Sequence, residues 1–396
     1  MQGKTSPKIE SAILDAERFQ SLFDALVDKG YLTFGPRLSN GAIIYDQVQG
    51  VDDLPVGYVD KQEPGSYRLT KGKRKTFFGY VVGPHTLRKY LRASTETVFE
   101  AKRDRHELTM IRPKGKKPGR APLSAEPFSV TAPDRQIIKR AFLGVRPCEL
   151  QALAIYDTVF GKGTHVDEAY LHDRKNMFVV SVNCTNPGGT CFCTSMNTGP
   201  KASSGFDLSL TELIDSERHC FLVEAGSNSG AALLRELPTT KPTKTDIAKF
   251  DKLLQQAERR IKRLLDTEKI KEVLYSKFDD SHWEEIASRC LSCGNCTMVC
   301  PTCFCITVED GTDLSGDSAE RLSKWDSCHT LDHSYIHGGS IRPSVAARYR
   351  QWMMHKLAYW HDQFGTSGCV GCGRCITWCP AGIDITEEAS VLCGKK

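Results

Sequence analysis

Cysteine carries the chemistry of this chain. Residues 290–301 read CLSCGNCTMVCP and residues 369–380 read CVGCGRCITWCP. Cys290, Cys293, Cys296 and Cys300 are thus followed by Pro301, and Cys369, Cys372, Cys375 and Cys379 by Pro380. Each run is C-x2-C-x2-C-x3-C-P. Three thiolates at two-residue gaps offer three iron ligands from one tight loop of about seven residues, and the fourth Cys of such a run ligates the other run's cluster. The spacing therefore predicts a 4Fe–4S cluster A on Cys290, Cys293, Cys296 and Cys379, and a cluster B on Cys369, Cys372, Cys375 and Cys300. Zinc is the rival, but a four-cysteine zinc site wants two C-x2-C pairs across a longer gap, which these triple runs are not. The fourth Cys of each run is expected to open a helix toward the partner cluster. Gly294, Gly371 and Gly373 should let backbone N–H groups approach the sulfurs and tune their potential. Arg289 and Arg374 could tune it electrostatically, though they read by default as solvated surface.

Paired runs of this kind are the pattern of bacterial two-cluster ferredoxins. The chain holds seventeen Cys, and none lies in its first 147 residues. Upstream, GVRPCEL supplies Cys148, and NCTNPGGTCFCTSM supplies Cys184, Cys191 and Cys193 on one Pro/Gly-rich loop after an expected strand. These four predict a third 4Fe–4S cluster C, with zinc the rival and with amides near Gly188 and Gly189 facing the sulfurs. Between the two ferredoxin runs, CPTCFC and WDSC add Cys303, Cys305 and Cys328. Three thiols are one short of a complete site, so they are candidates for further ligation with packing as the alternative. His329, His333 and His337 fall at four-residue steps that could share a helical face, where a surface or packing role outweighs a metal site. Cys220 and Cys393 have no partner by spacing and read as ordinary thiols.

The elements that must hold these residues are of two kinds. Ala42–Tyr45, Phe77–Val82 and Met177–Val182 are β-branched or aromatic runs bounded by turn residues, hence strands. Residues 11–30 read as an amphipathic helix ending near Gly30. From Asp246 to Asp279 apolar residues recur at three- and four-residue steps (Ile247, Phe250, Leu253, Leu254, Ala257, Ile261, Leu264, Leu265), predicting one charged connecting helix. The fold class is α+β: a mixed α/β domain over 1–245, the connecting helix over 246–280, and a mostly helical ferredoxin-like dicluster domain over 281–396 with a long insertion. Residues 102–122, basic and rich in Pro and Gly, read as an exposed loop.

Composition narrows the function. Of 396 residues 40% are hydrophobic and 26% charged, which argues against wholesale disorder. The formal net charge is +5. A near-neutral chain with one basic loop is not expected to bind nucleic acid. No apolar stretch approaches the about 20 residues a membrane helix needs, and the start, MQGKTSPKIESA, has no secretory signal's apolar run, so no membrane span or export is expected. Clustered cysteines then favour metal over disulfides. No G-x-G-x-x-G, G-x-x-x-x-G-K-[ST], G-x-S-x-G or H-E-x-x-H occurs, so no flavin or nicotinamide is expected on this chain, and no catalytic residue is named. An electron relay between partners is the favoured reading. A catalytic subunit built on Cys303, Cys305, Cys328 and His329, and a zinc-stabilised scaffold or nucleic-acid-binding protein, are its rivals.

Taken together, GVRPCELQAL, NCTNPGGTCFCTSM, WEEIASRCLSCGNCTMVCPTCFC, WDSCHTLDHSYIHGGSIRPS and CVGCGRCITWCPAGIDITEE resemble the beta subunit of cytoplasmic NAD(P)-linked nickel–iron hydrogenases, or sulfhydrogenases, over about residues 140–390. The same pattern resembles the electron-relaying iron–sulfur subunit of anaerobic sulfite reductase; the CPTCFC, WDSC and HGGS segments lean toward the hydrogenase. The resemblance implies a cytoplasmic electron-transfer subunit that takes electrons from an FAD/NAD(P)-binding reductase subunit. They would pass to hydrogenase small and large subunits or, in the sulfite reductase, to a sirohaem subunit.

Overall fold

Short apolar runs in the first 225 residues pair into a seven-stranded sheet. Its order is Ser11–Asp15, His219–Ala225, Leu208–Ile214, Met177–Val182, Arg140–Val145, Leu32–Ser39, Ala42–Gln47. The structure, a computed structural model, describes residues 10–104, 107–111 and 138–394. The four strands from Leu208–Ile214 to Leu32–Ser39 run parallel, and the strands at either margin pair antiparallel. Arg140–Val145 and Met177–Val182 are buried over nearly their whole length, which is why they are continuous apolar runs rather than alternating ones. Phe19, Phe78, Phe142 and Phe221 are fully buried in the surrounding core.

The C-terminal part packs helices His282–Arg289, Val345–Met354 and Ile385–Leu392 around a second core that includes Trp283, Ile286, Trp352, Met353 and Ile376. Two features join the halves. The insertion between the ferredoxin runs forms strands Ile306–Thr312 and Ser318–Trp325, and the latter pairs with Thr95–Asp104 of the N-terminal half. The hairpin Tyr58–Glu63/Ser66–Lys71 reaches across, where Gln62 Oε1 accepts from Thr190 Oγ1 at 3.2 Å and from Thr377 Oγ1 at 2.7 Å. Among the described residues no helix is long and apolar enough to cross a membrane.

Several local expectations give way to tertiary pairing. Residues 11–15 form a strand on His219–Ala225, and the α-helix begins only at Gln20, after a 3-10 turn at Ala16–Arg18. Phe77–Val82 is irregular, because side chains satisfy its backbone. Glu212 accepts from the amides of Phe77 and Phe78 at 2.7 and 2.9 Å, Asp60 accepts from Val81 at 2.7 Å, and Arg146 donates to the carbonyls of Phe78 and Tyr80. The connecting helix runs from Lys244 to Arg260 and breaks, resuming at Ile270–Ser276. In the gap Ile261 and Leu265 are buried, the Leu265 amide donates to Ser195 Oγ at 3.0 Å, and Arg263 pairs with Asp384. These contacts replace helical ones, and no Gly or Pro marks the break. Of the expected basic loop, 102–104 and 107–111 are strand, and the remainder, 105–106 and 112–122, lies outside the described residues. The insertion contributes strands as well as the helix Val345–Met354, so the C-terminal part is less helical than its ferredoxin core suggests.

Candidate iron–sulfur centres

Each ferredoxin run folds as loop, left-handed glycine, short helix. Gly294 and Gly373 have φ of 75° and 74° and precede the helices Asn295–Met298 and Arg374–Thr377. The third Cys lies within that helix and the fourth just after it, so Cys300 and Cys379 close the short helix rather than open one. The backbone aims donors at sulfur. The amides of Ser292, Gly371 and Ile383 donate to the Sγ atoms of Cys290, Cys369 and Cys379, each at 3.4 Å, and that of Thr302 to Cys300 Sγ at 3.5 Å. Bonds of this kind raise the potential of a bound cluster by stabilising its more negative state.

The fold brings the thiols into three sets. Cys290 and Cys296 feel Cys293 and Cys379 electrostatically. Cys375 feels Cys369, Cys372 and Cys300. Cys148, Cys184, Cys191 and Cys193 line one enclosed space together with Cys372. Burial, reinforced by neighbouring thiols, pushes Cys148, Cys191, Cys296 and Cys375 well above the ordinary thiol value. Groups so placed ionise together only with a bound cation, and metal binding supplies that drive. A single tetrahedral zinc would hold its thiolates about 3.8 Å apart, given Zn–S bonds of about 2.3 Å. Among the described residues no three His, Cys, Asp or Glu converge tightly enough for one ion. A 4Fe–4S group, whose thiolates sit on different irons, needs no such convergence on one point.

The upstream set is placed by the sheet. Cys148 and Cys184 follow the carboxyl ends of the adjacent parallel strands Arg140–Val145 and Met177–Val182, where open α/β sheets habitually bind ligands. Arg146 and Arg374, 2% and 3% exposed, face the same space. Arg374 lies 2.8 Å from Glu149 as an ion pair without hydrogen-bond alignment. Arg146 Nε and Arg374 Nη1 are buried without a partner, so each has a donor free for the sulfur of an anionic cluster. This donor set fits a 4Fe–4S group. Arg374, a surface residue by default in the sequence, is a buried counter-charge; Arg289 is partly exposed and pairs with Glu388 at 2.8 Å. Gly188 and Gly189 lie against Gln62 of the hairpin. Arg146, Glu149 and the buried Lys356 carried no spacing signal.

The sets stand in a row. A Cβ on Gly371 would lie 2.7 Å from Phe192 and Cys193 backbone atoms, and one on Gly373 would lie 2.5 Å from the Thr190 carbonyl carbon, so the Cys369–Cys375 loop rests directly on the Thr190–Cys193 loop. On its other side Cys375 feels Cys296. At the far end Cys293 is the exposed cysteine, beside Leu291 at 68% exposure. Residues 329–337 form turns and the short strand Tyr335–Ile336, so the three histidines share no helical face. His329 is buried beside Tyr349 and Trp352, and His333 bonds Asp326 at 2.7 Å. Cys220 is buried in the sheet.

A family model described as a 4Fe–4S dicluster domain matches residues 289–383, which contain all eight Cys of the two runs. Fold and site thus define an iron–sulfur electron carrier. Over 249 residues the chain is 35% identical to sulfhydrogenase 2 subunit beta of Pyrococcus furiosus, covering 62% of this chain and 72% of that one. The chain belongs to the sulfhydrogenase beta-subunit family and is an electron-transfer subunit, not itself catalytic. The similarity falls on the hydrogenase side of the two resemblances. No solved structure matches it.

Proposed function

We propose that the chain holds three 4Fe–4S clusters, on Cys290/Cys293/Cys296/Cys379, on Cys369/Cys372/Cys375/Cys300 and on Cys148/Cys184/Cys191/Cys193. It would relay electrons between the small and large subunits of a nickel–iron hydrogenase and an FAD/NAD(P)-binding reductase subunit. The observation that carries this reading is the row of thiol sets, with the Cys369–Cys375 loop in backbone contact with the Cys148 set and within electrostatic reach of the Cys290 set. When bound, the clusters supply one-electron redox chemistry. The chain's own residues fix the iron through thiolates, exclude water by burial, and bring Arg146, Arg374 and Lys356 as compensating charge. The exposed Cys293 edge, flanked by Leu291, is where a redox partner can approach. The domain division at 245 and 280 and a cytoplasmic location belong to the same reading.

Anaerobically purified chain is expected to be brown, with at least about 12 Fe and matching sulfide for three cubanes. Its clusters should bleach when NAD(P)H is added together with the reductase subunit. Colourless, zinc-loaded protein would overturn the proposal.

A further inference from the structure

Cys303, Cys305 and Cys328, one ligand short by spacing, are brought by the fold to the wall of one enclosed space. Cys303 and Cys328 are 9% and 8% exposed. The CPTCFC loop is fixed from behind: Tyr156 Oη donates to the Cys303 carbonyl at 2.7 Å, and the Asp326 amide donates to that of Cys305 at 2.9 Å. The opposite wall is the helix that begins as Val345–Met354, where it widens into a π-turn, His355–Tyr359, before resuming at Trp360–Phe364. Turns of that kind concentrate at functional sites. This one sets His355 and Lys356 side by side on the cavity.

Two unsatisfied features point to what the space holds. Lys356 is 5% exposed and, among the described residues, pairs with no carboxylate. Its Nζ donates to Cys300 Sγ and Thr302 Oγ1, both at 3.1 Å. A buried ammonium so placed calls for anionic neighbours. Trp352, 3% exposed, lines the cavity with its indole Nε1 lacking any partner, a donor free for an anionic sulfur. Thiols, a buried cation and an unspent buried donor are also what surround the Cys148 set.

We propose that Cys303, Cys305 and Cys328 hold a fourth iron–sulfur cluster, bound by three thiolates and so carrying one position without a cysteine. His355 lines the same space. His355 Nε2 accepts the Trp360 indole N–H at 3.1 Å, so the ring is already engaged and supplies no fourth thiolate-like donor. The Cys328 thiol feels Cys296, and Lys356 feels Cys300 and Cys369, so the space adjoins both ferredoxin sets. The proposal adds to the three-cluster reading and stands or falls separately from it.

The test is iron and sulfide analysis with Mössbauer spectroscopy on the anaerobically purified full chain. About 15 or 16 Fe per chain is expected, against about 12 for three cubanes. One iron environment should lack cysteine sulfur. Cys303→Ala, Cys305→Ala and Cys328→Ala should each lose three to four Fe and that environment, while Cys220→Ala loses none. Should the variants fail to fold, the wild-type count decides. About 12 Fe with Cys305 and Cys328 recovered as a disulfide, or zinc in place of the extra iron, overturns the fourth cluster and leaves the other three standing. About 8 Fe or fewer overturns the three-cluster reading as well.

Discussion

Gly373→Ala tests the contact between the Thr190–Cys193 loop and the Cys369–Cys375 loop. Gly373 has φ +74°, and the left-handed conformation costs a residue with a Cβ about 1–2 kcal/mol. The added methyl would also lie 2.5 Å from the Thr190 carbonyl carbon and 2.6 Å from its hydroxyl, where 3.4 Å is ordinary contact. Backbone on one loop must retreat by most of an ångström, and overpacking of this kind costs about 1–3 kcal/mol more. Gly30→Ala is the control, since Gly30 has φ +77° and nothing within 4 Å of its added methyl. It isolates the conformational term. Denaturant unfolding of the anaerobic protein should therefore show Gly30→Ala weakened by about 1–2 kcal/mol and Gly373→Ala by about 2–5 kcal/mol. Only Gly373→Ala should lose iron. Equal midpoints and equal iron in the two variants would refute the claim that these loops are in backbone contact.

Other outcomes follow from single residues. Cys191→Ala should lower the iron count by about four while the ferredoxin-type signals persist, read by iron analysis and EPR. Arg374→Met strands the Glu149 carboxylate in the interior and should cost about 3–5 kcal/mol in denaturant unfolding, whereas the double change with Glu149→Leu recovers much of it. Lys356→Met removes a buried positive charge beside Cys300 and Cys369 and should make the neighbouring potential more negative in a redox titration. In the helix Lys244–Arg260, hydrogen bonds from the Thr243 amide and hydroxyl hold Asp246 down to about 2. Because this folded-state value lies below the unfolded one, the cap's contribution is complete above about pH 4 and fades as pH falls toward 2. Thr243→Ala should cost about 1 kcal/mol at neutral pH, read by hydrogen exchange along that helix.

The cysteine spacings alone pointed to the chemistry, because three of a ferredoxin cubane's four thiolates come from one short loop and that loop's periodicity is written in consecutive residues. Burial of Met177–Val182 was equally legible, as a continuous apolar run. What the chain order concealed was everything set by distant partners. Ser11–Asp15 is a strand because residues 219–225 offer an edge, Phe77–Val82 is irregular because Glu212, Asp60 and Arg146 satisfy its backbone, and the connecting helix breaks where Ser195 and Asp384 capture it. Tertiary structure also decided which charges face the sulfurs. Arg374 looks like surface in CVGCGRC and is buried against Glu149, while Lys356 reaches Cys300 across more than fifty residues. Ligand type and local spacing are properties of a segment. The order of the thiol sets, their counter-charges and the gathering of Cys303, Cys305 and Cys328 around one space arise only when segments far apart in the chain pack together.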